Sequence, residues 1–79
     1  MVTIKLVDYE IRYTNYMCTE KQYAYLRHLM NKTKHEEVWL NKLAFYGRER
    51  LTISEAAKLI DAIKNNKEFR IVEEKDVFL

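Results

Sequence analysis

The first residues of the chain alternate, with Val2, Ile4 and Leu6 apolar and Thr3 and Lys5 polar, the two-residue period of a half-buried strand. The alternation resumes with Tyr9, Ile11 and Tyr13 set against Glu10, Arg12 and Thr14, so this stretch also reads as strand. Between the two the apolar phase slips by one position at Val7 and Asp8, which requires either a bulge or a tight turn. On this pattern Tyr9 and Tyr13 fall on an apolar face and pack there, as Tyr23 does further along.

At Thr19 the period becomes helical. Thr19 and Gln22 form a T-x-x-Q capping box, in which the threonine oxygen accepts from the Gln22 amide and the glutamine side chain reaches back, so a helix begins here. Gln22, Tyr23, Leu26, Leu29 and Met30 lie on one stripe, with Lys21, Arg27 and His28 facing elsewhere, and the helix frays over residues 31–34. A second, shorter helix is predicted over residues 36–46, with Glu36 and Glu37 in its first turn and Trp39, Leu40, Leu43 and Phe45 as its apolar set. Gly47 would be its left-handed cap. Thr52 and Glu55 make another capping box, after which Ile53, Ala56, Ala57, Ile60 and Ile63 recur at helical spacing until Asn65 and Asn66 stop the helix. Residues 69–72 read as strand, residues 73–76 as a polar turn and residues 77–79 as a short extended piece.

Strands near both ends of the sequence imply a small sheet made by the N- and C-terminal strands and packed against two or three helices. This is an α+β fold in the order β-β-α-α-α-β. The 79 residues hold no proline, one glycine, no repeat and no low-complexity tract, so the whole chain reads as a single domain without a linker. Apolar residues at 48% and charged residues at 33% are the balance of a globular domain and not of a disordered tail. Cys18 is the sole cysteine and cannot staple a monomer, no stretch has the apolar length of a membrane span, and the N-terminus lacks the apolar run of a signal peptide. The expectation is a cytoplasmic protein without membrane contact. Apolar surface left over in so small a chain, Val77, Phe78 and Leu79 above all, makes a homo-oligomer an open option.

The chemistry on offer is sparse. Cys18 lies one residue before a helix cap, where the dipole favours a thiolate, but a nucleophile also needs a base. His28 lies about 15 Å along the helix at the usual rise per residue, and nothing requires His35 to fold back. A small apolar filler is the simpler reading of Cys18. Cys18, His28 and His35 show no paired metal-ligand spacing, and one glycine is too few for a phosphate or dinucleotide loop. Glu36-Glu37 and Glu73-Glu74 are neighbours that face apart and read as solvated charge. The expectation is a protein that is not an enzyme, with no cofactor, no metal and no small-molecule substrate.

Two sets of residues suggest binding instead. Residues 19–67 carry ten basic and six acidic side chains, a surplus of four positive charges, although the whole chain is only +2. Around the connections between helices stand Arg27, Lys32, Lys34, Lys42, Arg48 and Arg50, interleaved with Tyr25, Tyr46 and Trp39, a mixture in which cations hold phosphates and aromatics stack bases. Nucleic acid, DNA in particular, is the first expectation, and the last two helices would mimic a helix-turn-helix whose reader begins near Ile53. Only Ser54, Glu55, Lys58 and Asp61 on that helix are free of the core, and two of the four are acidic. The alternative is a protein partner, for example a host enzyme or nuclease that the chain modulates or inhibits. Six tyrosines and one tryptophan in a very small chain are suitable anchors, and a sheet edge is open to strand addition.

The run Thr19-Glu20-Lys21-Gln22 with Tyr25, Leu26 and Leu29, followed by Leu51-Thr52, Ser54-Glu55-Ala56-Ala57, Leu59-Ile60 and Asp61, resembles small bacterial and phage modules of unknown function. These modules share a T-x-K-Q-x-x-Y-L helix and an L-T-x-x-E-A-x-x-x-I-D helix. The resemblance covers residues 19–63. In those modules a short loop joins the two helices, whereas here residues 31–50 add a helix. The resemblance implies an accessory role in phage or mobile-element biology, of the kind appended to proteins that handle DNA, and carries no catalytic residue.

Overall fold

The computed structural model describes residues 1–13, 15–44 and 47–73. Two strands, β1 (Val2–Leu6) and β2 (Phe69–Glu73), lie side by side and parallel, with Val2 opposite Phe69, Ile4 opposite Ile71 and Leu6 opposite Glu73. Parallel neighbours need a long crossover, and here almost the entire intervening chain supplies it: α1 (Glu20–Lys32), α2 (Glu36–Val38) with a π-helical turn Trp39–Leu43, a 3-10 turn Arg48–Arg50, and α3 (Ile53–Lys64). The architecture is thus the small α+β fold that the sequence implies, its sheet made from the two terminal strands.

The period-2 pattern of β1 buries Ile4 and Leu6 and half-buries Val2, and Phe69 and Ile71 of β2 join them on the same face. Against that face lie Leu26 and Met30 of α1, Trp39 and Leu43, and Ala56, Leu59 and Ile63 of α3, with Leu51 and Cys18 between the elements. Both halves of the capping box of α1 form: the Gln22 amide donates to Thr19 Oγ1 at 3.0 Å and the Thr19 amide to Gln22 Oε1 at 3.0 Å. The Thr19→Ala variant should therefore lose about 1 kcal/mol of stability, measured as a lower urea midpoint at unchanged slope.

At α3 only half of the corresponding box exists. Thr52 Oγ1 accepts from the Glu55 amide at 3.2 Å, but Glu55 Oε2 accepts instead from the Lys5 amide on the outer edge of β1 at 3.2 Å. Glu55 thereby ties α3 to the sheet. The buried side of α3 is Ala56, Leu59, Ala62 and Ile63, so the stripe is centred one position away from the predicted one, and Ala57 is exposed. Asn65 and Asn66 end the helix as the sequence suggests. Asn66 takes φ 54°, the Lys67 amide donates to the Ala62 carbonyl at 2.8 Å and the Asn66 amide to Ile63 at 3.3 Å, a Schellman closure.

Three predicted details are corrected. Residues 9–13 do not form a strand: the phase slip is a bend at Asp8 and Tyr9 that takes the chain out of the sheet. The backbone then pairs with the 3-10 turn, the Val7 amide donating to the Arg50 carbonyl at 3.0 Å and the Ile11 amide to Glu49 at 2.7 Å. Of the alternating set only Ile11 is buried, while Tyr9 and Tyr13 point into solvent. In the second helix the Ala44 amide donates to the Trp39 carbonyl, five residues back. The widened turn keeps Trp39 and Leu43 inside and turns Leu40 out, 58% exposed. Gly47 does take a positive φ, 70°, but its ψ of −175° lies outside the left-handed helical region and in one that only glycine enters easily. Glu73, the predicted first residue of the polar turn 73–76, is instead the last residue of β2. The rest of that turn, the extended piece over residues 77–79 and the predicted end of the second helix at Phe45 and Tyr46 lie outside the described residues.

Candidate binding surfaces

The segment from Val7 to Cys18 runs along the 3-10 turn and the start of α3, held at several points. Besides the Val7 and Ile11 bonds, the Cys18 amide donates to the Leu51 carbonyl at 2.8 Å, the Ile53 amide to Tyr16 at 2.9 Å, and Met17 and Thr52 form an antiparallel bridge. The Tyr16 amide closes a turn onto the Tyr13 carbonyl at 3.0 Å. Ile11, Met17 and Cys18 are buried and serve as the loop's anchors. The tyrosines between them have nowhere inward to go: Tyr9 is 59% exposed, Tyr13 72% and Tyr16 63%. The alternation that suggested packing for Tyr9 and Tyr13 is real, but among the described residues no sheet or helix covers that face.

A second surface is a groove of about 1050 Å³ between α1, the π-helical turn and the 3-10 turn. Arg27, His28, Lys32 and Arg48 line it together with Glu20, Glu49 and exposed Leu40. Arg48 is held in place: Nη1 donates to the Cys18 carbonyl at 2.8 Å and Nη2 lies 3.5 Å from Glu20 Oε1. Trp39, 5% exposed, belongs to the core under this groove, its ring 4.9 Å from that of Tyr23. It is not presented for stacking. Tyr23 packs as the sequence suggests and donates its hydroxyl to the Leu43 carbonyl at 3.1 Å; burial, then the nearby Cys18, pushes its phenol pKa up.

Of the eight residues singled out for nucleic acid, the groove brings together Arg27, Lys32 and Arg48. Lys42 lines a different, smaller groove beside β2, and Tyr25, 40% exposed on α1, lines neither. Lys34 is exposed in the turn after α1, and Arg50 sits in the 3-10 turn with its carbonyl on the Val7 amide. Tyr46 lies outside the described residues. What the sequence reading missed is the tyrosine loop, Tyr16 included. The available signal was the placement of Asp8, Glu10 and Arg12 among the tyrosines, too polar a run for a strand covered on one side.

Cys18 is fully buried, its Sγ 3.7 Å from the Arg48 carbonyl, and burial pushes the thiol up to about 11, Arg48 opposing and Glu49 adding to the rise. That is opposite to what thiolate chemistry requires and agrees with the filler reading. Because the folded thiol holds its proton more tightly than the unfolded one, its contribution to stability is intact at neutral pH. It falls away as pH climbs from the ordinary cysteine range through about 11. Iodoacetamide at pH 8 should leave Cys18 unmodified in the native chain and alkylate it fully in urea, read by mass spectrometry; ready labelling of the native chain would contradict the burial.

Among the described residues there is no group of three or more His, Cys, Asp or Glu side chains placed to hold a metal ion, and no helix long and apolar enough to cross a membrane. The chain matches no family model, no curated protein and no solved structure.

Proposed function

We propose that this chain is a binding module without catalytic chemistry of its own, and that its principal contact is a protein seated on the tyrosine loop of residues 7–17. The observation that carries the reading is the outward presentation of Tyr9, Tyr13 and Tyr16 from a backbone pinned to the 3-10 turn and to α3. Tyrosines held this way offer large amphipathic contact area at low entropic cost, the property that makes them interface anchors. The charges of the loop favour protein over phosphate, since Asp8 and Glu10 outnumber Arg12.

The test is capture from a lysate of the source cell by the tagged chain and by a variant with Tyr9, Tyr13 and Tyr16 replaced by serine. A partner retained by the first and lost by the second, with unfolding temperatures matched, is the outcome that supports the reading. Recovery of only the bait, or of the same proteins by both, would refute it. With the partner in hand, Tyr13→Ala should cost 2 kcal/mol or more of binding, about 30-fold in Kd by titration calorimetry.

A second reading, nucleic acid, is favoured by one observation: Arg27, Lys32 and Arg48 line a single groove. The resemblance of residues 19–63 to accessory modules found with DNA-handling proteins points the same way, towards a phage-type or mobile-element role. Against it, Glu20 and Glu49 share the groove, and Arg48 is already bonded to Cys18 and Glu20. Fluorescence anisotropy with labelled single- and double-stranded DNA decides, because phosphate contacts make affinity fall steeply with salt. No binding at about 50 mM salt removes this reading.

A further inference from the structure

Apart from the tyrosine loop, the sheet presents a second feature, the edge of β2 that faces away from β1. The Val2 amide donates to the Glu68 carbonyl at 2.9 Å, which sets the ladder so that Arg70 and Val72 turn their backbone groups toward β1. The N–H and C=O of Phe69 and Ile71 therefore point away from β1, and they have no hydrogen-bond partner among the described residues. The other edge of the sheet is treated differently: Glu55 caps the Lys5 amide there. Unpaired edge groups of this kind are a template for another strand.

Beside this edge runs a groove of about 280 Å³, with Val38, Phe69 and Ile71 as its apolar walls and Glu37, Lys42 and Arg70 at its rim. It is below the usual size of a small-molecule pocket, about 300 to 1,000 Å³, and suits the side chains of an extended peptide. We propose that β2 accepts an extended peptide strand from a protein partner, with apolar side chains alternating with acidic ones. The apolar side chains would enter the groove against Val38, Phe69 and Ile71, and the carboxylates, on the opposite face of the added strand, would meet the guanidinium of Arg70, whose Nε donates to Thr3 Oγ1 at 3.3 Å. A second copy of this chain fits less well, because antiparallel pairing of two β2 edges about Ile71 sets the two Arg70 side chains as diagonal neighbours, like charge against like.

The experiment is an NMR titration of the full ¹⁵N-labelled chain with a capped synthetic peptide of alternating glutamate and valine. The amides of Phe69 and Ile71 should shift saturably, and their hydrogen exchange should slow by about tenfold or more. A peptide N-methylated at its pairing positions should not bind, a lysine–valine peptide should bind about tenfold or more weaker, and the triple tyrosine-to-serine variant should bind as well as the native chain. Absence of shifts at Phe69 and Ile71 at millimolar peptide overturns the proposal. So does protection of those amides in the free chain, which at all concentrations would mean that the edge is already covered within the chain, and on concentration alone that a second copy covers it. Loss of partner capture by the tyrosine variant with peptide binding intact separates the two surfaces.

Discussion

Replacing Trp39 with alanine should lower the free energy of unfolding by about 3–5 kcal/mol. The indole is 5% exposed and stands on the π-helical turn, its ring in tilted contact with Tyr23. Truncation would leave a void that Leu43 and Met30, themselves fully buried, have little freedom to fill. Chains of this length carry a total stability of about 4–12 kcal/mol, so the variant would retain little or none of it. Trp39 is the only tryptophan, so the measurement must be urea denaturation followed by far-UV circular dichroism. The native chain supplies a cross-check in the blue-shifted emission of a buried indole. A loss below about 1 kcal/mol would show that the ring does not occupy the core. The result also bears on function: any loss of nucleic-acid or protein binding in this variant reports unfolding and not a removed contact.

Leu59→Ala should cost about 2–5 kcal/mol. Leu59 is fully buried on α3, the helix that packs on both α1 and β1. Alanine is the better helix former, so intrinsic propensity moves slightly in favour of the variant and the whole loss must come from packing. Ala57 on the exposed side of the same helix makes the control, since Ala57→Ser should change stability by no more than about 0.5 kcal/mol. Equal effects at the two positions would mean that the buried face of α3 has been assigned wrongly.

The helices were legible because their signals are local. Thr19 with Gln22, Thr52 before Ile53, and Asn65 with Asn66 act through bonds to residues a few positions away, and each appears in the structure where the sequence puts it. The strands that became the sheet were legible from period alone. The parallel pairing of Val2 with Phe69 was not, since no local feature records which distant strand lies alongside. Residues 9–13 misled for the opposite reason: their alternation satisfies the strand pattern, yet the backbone of Ile11 finds its partner in Glu49 and not in a strand. Leu40 misled because α-helical spacing was assumed where the backbone opens into a wider turn. Of the basic residues Arg27, Lys32, Lys34 and Lys42 are exposed while Arg48 and Arg50 are half-buried, and their grouping depends on tertiary placement, which puts Lys42 on a different groove from Arg27 and Lys32.

The pairing of β1 with β2 also governs when the molecule acquires its shape. Made before every other element described, β1 has no partner strand until Phe69–Glu73 has left the ribosome. At about 5–20 residues per second, Ile4 and Leu6 wait for several seconds beside helices that can already form. The closure that ends this wait joins residues 67 positions apart, the kind of long-range contact whose loop-closure cost slows folding.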